Sequence, residues 1–494
     1  MTAEDNRETP LSQPRSHGII MVSNRLPVSL KRNENGAWRA EPASGGLIAA
    51  LNPVMRERGG VWIGWPGVAE SNTETLQEAL DEAYRTNVDY RLDPVALSET
   101  EIQEFYEGFS NQIIWPLFHN QLYACNFDPA FWRTYQTVNQ RFAERVCDAA
   151  EAEDFIWIHD YHLINVAAGL HELGVDNRIG FFLHIPFPTV DIFINLPWWR
   201  DMLYSLLAYD FIGLQTKSDR DNFIACIGAM FDSVVQTQSS DCISLTIEDD
   251  TLPERLRYVG VGALAISIDY PEVTKAAGGE DAESFKRTYR KMWSARQIVL
   301  GVDRLDYTKG LPRKFEAFRN ALQRYPELRS NISLDQHVIP SREQVPQYAE
   351  QKMEIERLVG EINGELTEPG WVPIHYIFHR MTPAELMAYY RVADIALITP
   401  LKDGMNLVAK EYCAAKVDET GVLILSEFAG VADEFGSNAL LVNPNDIEAM
   451  ADRIVEAYRM TEDERSRRMR PMRKQVRDND AFKWVDRFLA AADA

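Results

Sequence analysis

The chain has 494 residues, 46% of them hydrophobic and 25% charged, with a formal net charge of −23. Such a length calls for two or three hydrophobic cores, and the composition is that of a globular protein. The acid excess excludes an extended basic face for nucleic acid, and no apolar run reaches the ~18 residues needed to cross a bilayer.

The N-terminal stretch MTAEDNRETPLSQPRSH is polar and contains acids, so it reads as a disordered tail over residues 1–17 and not as a secretory leader. From residue 18 onward, short apolar runs alternate with helical patterns, which predicts parallel α/β structure. GIIMVSN (18–24), FIWIHDYH (155–162), RIGFFLHIPFP (178–188) and DFIGLQT (210–216) are the strands of a first series. Residues 28–42 read as an inserted hairpin or flap. A second series follows with QIVLGVDR (297–304), HVIP (337–340), HYIFH (375–379), DIALITP (394–400) and GVLILSE (421–427). The pattern breaks at an acid-rich stretch around 268–282, which predicts domains at 18–270 and 271–475. The basic run RSRRMRPMRK (465–474) is set among acids and reads as a solvated helix face. Residues 476–494 end in an amphipathic helix, expected to pack back on the first domain. The five cysteines form no CxxC pair, which fits free thiols in a reducing, cytoplasmic compartment.

In open α/β sheets ligands bind beyond the carboxyl ends of the strands, so the residues after each strand carry the functional signal. DRLDYTKGL (303–311) puts Arg304 and Lys309 in one strand-to-helix loop. Two cations there suit a diphosphate; surface ion pairs are the alternative. PLKDGMNLVAKEY (400–412) turns at Asp403 and Gly404, with a helix predicted from near Met405. Free amides at a helix start make an anion site. Glu411, two turns further, can accept hydrogen bonds from ribose hydroxyls, and Asp403 can hold sugar hydroxyls or simply cap the helix. In the first half Arg25 ends a strand, and SGGL (44–47) opens an apolar helix. The segments FYEGFSNQIIWPLFH (105–119), HDYH (159–162) and HIPFP (184–188) read as loops bringing aromatics, Asp160 and His184, a mixture that suits sugars. HDYH has no regularly spaced third ligand, so a metal role for His159 or His162 is set aside.

SNRLP (23–27), SGGL, GWPG (64–67), NQIIWPLFH (111–119), WIHDYHL (157–163), RIGFFLHIPFP, DRLDYTKGL and DGMNLVAKEY (403–412) occur in this order. The set resembles glycosyltransferase family 20, the family of the trehalose-6-phosphate synthases, over about residues 18–485. The resemblance implies the GT-B architecture, two Rossmann-like doubly wound domains facing a catalytic cleft. It implies transfer of glucose from UDP-glucose to glucose 6-phosphate with retention, giving α,α-trehalose 6-phosphate and UDP. Arg304 and Lys309 match the donor diphosphate residues, and Glu411 the ribose-binding glutamate. Asp403 and the amides of Gly404, Met405, Asn406 and Leu407 match contacts to the donor glucose and phosphates. Gly46 matches a glycine near the donor phosphate, and His184 the histidine beside the transferred glucose. Arg25, Tyr106 and Arg342 match the clamp on the acceptor 6-phosphate; Trp65, Trp115 and Asp160 match residues around the acceptor sugar. Asp160, His184, Arg304 and Asp403 are thus the residues expected nearest the chemistry. No metal or other cofactor, no nucleic acid and no membrane is implied, and a homo-oligomer, dimer or tetramer, is compatible with the resemblance. NLPWWRD (195–201) departs from the family pattern with Trp198 and Trp199, and an acceptor such as glycerol 3-phosphate is the second reading. A catalytically silent regulatory subunit is the third; it would be expected to have lost donor residues that are all present here.

Overall fold

The computed structural model describes all residues except 1–17, 34, 36, 44, 71, 84–89, 240–241, 251, 253–255, 293–295, 342–345 and 494. The tail read at 1–17 and the phosphate residue Arg342 therefore lie outside the described residues.

Two sheets organise the chain. The first contains β1 (Ile19–Arg25), β4 (Val61–Trp65), β5 (Arg91–Pro94), β6 (Phe155–His159), β7 (Ile179–Phe182), β8 (Phe211–Leu214), β9 (Val234–Ser239), β10 (Cys242–Glu248) and β11 (Leu256–Ala263), in the order β5-β4-β1-β6-β7-β8-β11-β10-β9. The strands from β5 to β11 pair in parallel, and β11, β10 and β9 add an antiparallel extension. The hairpin expected at 28–42 forms from β2 (Val28–Arg32) and β3 (Trp38–Pro42). The second sheet is wholly parallel: β12 (Gln297–Arg304), β13 (Ile332–Ile339), β14 (Ile374–Phe378), β15 (Ile395–Ile398), β16 (Val422–Ser426) and β17 (Leu440–Val442), ordered β14-β13-β12-β15-β16-β17. Its strands are buried on both faces because helices cover both sides, which is why they read as continuous apolar runs.

Each parallel core steps outward twice from its first strand, the doubly wound order. The order reverses between β1 and β6 in the first sheet and between β12 and β15 in the second. A crevice opens at such a reversal because the flanking crossovers run to opposite faces. At the carboxyl ends of those four strands lie Arg25, Asp160, Arg304 and the 400–406 loop. The helix Ala481–Asp493 lies on the first sheet: Phe488 stacks on Trp157 at 4.3 Å and Trp484 meets Phe182 edge-on at 4.9 Å. Gly180 and Gly213 face the same rings, leaving room for them.

One expectation is corrected. Residues 105–119 are not a loop: Ile102–Ile114 forms a π-helix that runs into an α-turn at Trp115–Phe118. It sets Phe105, Phe109, Ile113 and Ile114 on the core side, a stripe that marks a helix but does not tell its wider turn from an α-helix. The side-chain amide of Asn111 donates to the Tyr106 carbonyl five residues back, at 2.6 Å. Trp198 stacks on Trp132 (5.6 Å) and meets Phe109 (6.0 Å), so it backs the helix that carries Tyr106.

Candidate active site

The wall from the second domain is built on β12 and β15. Arg304 is the last residue of β12 and is exposed. Lys309 follows in a short 3₁₀ turn whose cap, Asp306, accepts from the Thr308 amide at 3.0 Å. The turn closes at Gly310 in the left-handed region (φ 66°), where an added Cβ would lie 2.9 Å from the Thr399 carbonyl, so conformation and space both require glycine. The Leu401 amide donates to the Thr308 carbonyl at 2.7 Å and binds the two loops together.

Lys309 Nζ is 2.5 Å from Asp403 Oδ2, which also accepts from Asn406 Nδ2 at 3.1 Å. Burial pushes the Asp403 carboxyl up, but the charge and hydrogen bond of Lys309 outweigh it and hold it below the usual carboxylate range. Asn406, at φ 85°, caps the helix Leu407–Ala415 by accepting from the Ala409 amide at 3.1 Å. The predicted helix thus starts two residues later than read, and the turn 403–406 stays outside it; the Asp403 amide donates to the Phe428 carbonyl at 3.1 Å, while among the described residues the amides of Gly404, Met405 and Asn406 have no partner and can face a ligand. Glu411, partly accessible yet packed round by protein, accepts from the Tyr390 hydroxyl at 2.9 Å. Burial pushes its carboxyl up to about 7, with the Tyr390 bond opposing.

The facing wall rises from the first sheet. Arg25 ends β1 with its guanidinium 4.4 Å from the Trp65 ring centre. Trp65 meets Tyr106 edge-on at 5.7 Å, and Tyr106 stacks on His162 at 5.9 Å. Burial pulls the Arg25 guanidinium below its ordinary value; Tyr106 opposes this, and Arg380, in the loop after β14, pulls the same way. Asp160 follows β6 in the left-handed region at φ 75°. That strained backbone is held by its own amide on the Phe182 carbonyl (2.8 Å), while its Oδ1 accepts from the His184 amide (3.2 Å). His184 follows β7, its ring paired with His159.

The walls meet. Arg304 lies 5.6 Å from the centre of the Trp115 ring. A Cβ on Gly404 would fall 2.4 Å from the His184 carbonyl, and one on Gly46 would fall 2.8 Å from Leu407 Cδ1. Lys402 Nζ reaches Asn120 Oδ1 at 3.4 Å. His119, buried against the Trp115 carbonyl at 2.7 Å, is pulled down to about 4 by burial while it feels the charges of Asp306, Asp403 and Lys309. Contacts join most of the described candidates: Arg25, Trp65, Tyr106, Asp160 and His184 form one linked set, and Lys309, Asp403 and Asn406 the other, while Glu411 is tied to Tyr390. Trp115, Gly46 and Gly404 join the two. Sequence reasoning did not single out His119, Tyr390 or Arg380. His119 closes the quoted NQIIWPLFH segment, but Tyr390 sits in an ordinary helix and only the tertiary contact reveals it. Among the described residues no group of three or more His, Cys, Asp or Glu could hold a metal ion.

Cations on both sides of an otherwise acidic chain fit two anionic partners, one per wall, with ring faces between them. The sequence model of Glycosyltransferase family 20 matches residues 17–494. A trehalose-6-phosphate synthase of Mycobacterium tuberculosis is 41% identical over 477 residues, covering 96% of this chain and 94% of that protein. The crystal structure of an α,α-trehalose-phosphate synthase (UDP-forming) from Burkholderia xenovorans, in complex with glucose 6-phosphate, superposes with a TM-score of 0.86 at 33% identity, covering 97% of this chain and 100% of that one. The Escherichia coli protein bound with UDP-2-fluoro glucose gives a TM-score of 0.84 at 34% identity, covering 96% and 98%.

Proposed function

The chain belongs to glycosyltransferase family 20, and we propose that it transfers glucose from UDP-glucose to glucose 6-phosphate, with retention, giving α,α-trehalose 6-phosphate and UDP. The observation that carries this reading is the cleft itself: a diphosphate-type wall, Arg304 and Lys309 with the 404–407 amides, opposite a cation set in aromatic faces, Arg25 with Trp65 and Tyr106.

In this reading Arg304 and Lys309 bind the donor diphosphate, the latter pre-positioned by Asp403. Gly46 and the amides of Gly404, Met405, Asn406 and Leu407 approach the phosphates and donor glucose, and Glu411 receives the ribose hydroxyls. His184 and Asp403 hold the donor glucose. Arg25, Tyr106 and Arg342 take the acceptor phosphate; Arg380, close enough to depress Arg25, adds charge that a dianion relieves. Trp65, Trp115 and Asp160 hold the acceptor ring.

The step is substitution on one face. The bond from the anomeric carbon to the diphosphate oxygen breaks, and the bond to the acceptor's anomeric hydroxyl oxygen forms on the same side. The hydroxyl proton passes to the departing phosphate oxygen. A retaining glycosidase sets a nucleophile and an acid about 5–5.5 Å apart. Here Asp160 is already committed to the His184 amide, which suits an orienting role. The protein supplies alignment and charge stabilisation. No divalent metal is required; activity lost to EDTA and restored by magnesium would contradict this. A cytoplasmic setting suits phosphorylated substrates and five free cysteines.

UDP release by the purified chain, measured with glucose 6-phosphate and with glycerol 3-phosphate, tests the acceptor. Release with glucose 6-phosphate alone is expected. Preference for glycerol 3-phosphate would overturn the acceptor assignment, and no release with either would favour a silent subunit.

The raised Glu411 carboxyl adds a pH prediction. The ribose needs the ionised, accepting form, and protonation as pH falls through about 7 removes it. Kd for UDP-glucose is therefore expected to be flat above that value and to weaken about tenfold per unit below it. Direct calorimetric binding avoids the acceptor phosphate, which itself titrates near pH ~6. Glu411→Gln should bind more weakly above about pH 7, lose the slope, and approach the wild type at low pH; a flat wild-type profile would contradict the assignment.

A further inference from the structure

The pair His159 and His184, at the carboxyl ends of adjacent strands, carries information beyond the family resemblance. His159 Nδ1 and His184 Nε2 are 3.1 Å apart, with the rings stacked at 28°. Burial pulls His184 down to about 3 and His159 well below its ordinary value, so both rings are neutral at physiological pH. Two neutral imidazoles at this distance share one proton, and it sits on one nitrogen or the other.

The surroundings decide which. The His159 ring is fully buried, and among the described residues its Nε2 has no hydrogen-bond partner. Its neighbour Trp157, with ring centres 4.6 Å apart, has an indole N–H that is also buried and has no partner among the described residues, and an indole N–H can only donate. If His184 donated, the His159 proton would move to Nε2, adding a second buried N–H with no acceptor. Orphaned N–H groups are the rarer defect; an unused lone pair is tolerated more often. With His159 Nδ1–H as the donor, Nε2 keeps only its lone pair, and the proton of His184 falls on Nδ1. No described residue pairs with His184 Nδ1. The backbone of His184 is already fixed, its amide on Asp160 and its carbonyl against Gly404, so the ring's proton position is what remains to be set.

We propose that His159 is a positioning residue that holds His184 in the Nδ1–H tautomer, so that His184 presents a hydrogen-bond donor to a hydroxyl oxygen of the donor glucose. This rests on the reading above that His184 lies beside that sugar. It also gives the buried HDYH histidine a role without a metal.

The test is long-range ¹H–¹⁵N correlation on ¹⁵N-histidine-labelled, ligand-free full chain, with His184 assigned by its loss in His184→Gln. The expected spectrum shows His184 protonated at Nδ1 only; protonation at Nε2 would overturn the proposal. Two variants extend it to turnover. His159→Phe keeps a ring but removes the donor: the His184 signal should leave the pure Nδ1–H form, and kcat should fall roughly tenfold or more with acceptor KM unchanged. His159→Asn keeps an N–H near the Nδ1 position and should restore both. An unchanged kcat in a folded His159→Phe protein would overturn the role. The wild-type tautomer is read without substrates. An Nδ1–H signal in a protein that transfers no glucose would therefore count against the functional reading alone.

Discussion

Replacing Arg304 by alanine is expected to lower kcat/KM by about 10²–10³-fold while leaving the fold intact. The side chain stands at the end of β12, exposed in the cleft, and its recorded contact is the Trp115 ring at 5.6 Å. Losing that contact costs about 0.5–1 kcal/mol of stability. The loss at the reacting centre is larger, because the leaving diphosphate gains charge as the glycosidic bond breaks, and a cation already aimed there needs no reorganisation. Arg304→Lys should recover part of the rate, since it keeps the charge but not the planar fork. Kinetics beside a thermal melt separate the two effects. Near-normal turnover in the alanine variant would remove Arg304 from the diphosphate site.

Gly404→Ala is the second large expected effect, with a different cause. The added Cβ would lie 2.4 Å from the His184 carbonyl oxygen and 3.1 Å from the Ile185 backbone. On the other side, a Cβ at Gly430 would be 2.0 Å from the Gly404 carbonyl. Three backbones are therefore stacked across the cleft, and none has a flexible side chain that could yield. One methyl group must push the 403–406 turn away from the facing wall. A displacement near 1 Å at this distance from the chemistry costs on the order of 10²-fold in rate. Melting temperature should move less than activity, because no core side chain is removed and the buried cluster that joins both domains keeps all its members. Gly360→Ala is the control: its Cβ meets nothing within 4 Å inside a helix, so activity should persist and stability should rise by about 1 kcal/mol. Equal activity in both variants would mean that the close approach of the walls is not needed for transfer.

What the sequence made legible follows from range. The strand QIVLGVDR is apolar on both faces and falls where expected, and the polar loops after β12 and β15 stood out because charges at strand ends are uncommon. The antiparallel extension also left a local trace, the alternation of Ile243, Leu245 and Ile247, which are buried while their neighbours are not. The π-helix left only the apolar stripe of Phe105, Phe109 and Ile113, which marks a helix and not its wider turn. The Arg304–Trp115 contact, the charges on His119 and the Tyr390–Glu411 bond join residues distant in sequence or on different elements. Nothing in a local window distinguishes Tyr390 from any other helical tyrosine. The glycine at 404 could be read as a turn residue from sequence; only the facing His184 carbonyl shows that it is also a spacer between domains.

The central claim is that the two walls hold two different sugars in register for same-side transfer. Its most direct test is proton NMR of the product formed by the purified chain from UDP-glucose and glucose 6-phosphate. A single α,α-linked disaccharide phosphate, formed with one UDP per molecule, is the expected result. A β-linked product, or UDP released without a disaccharide, would contradict it.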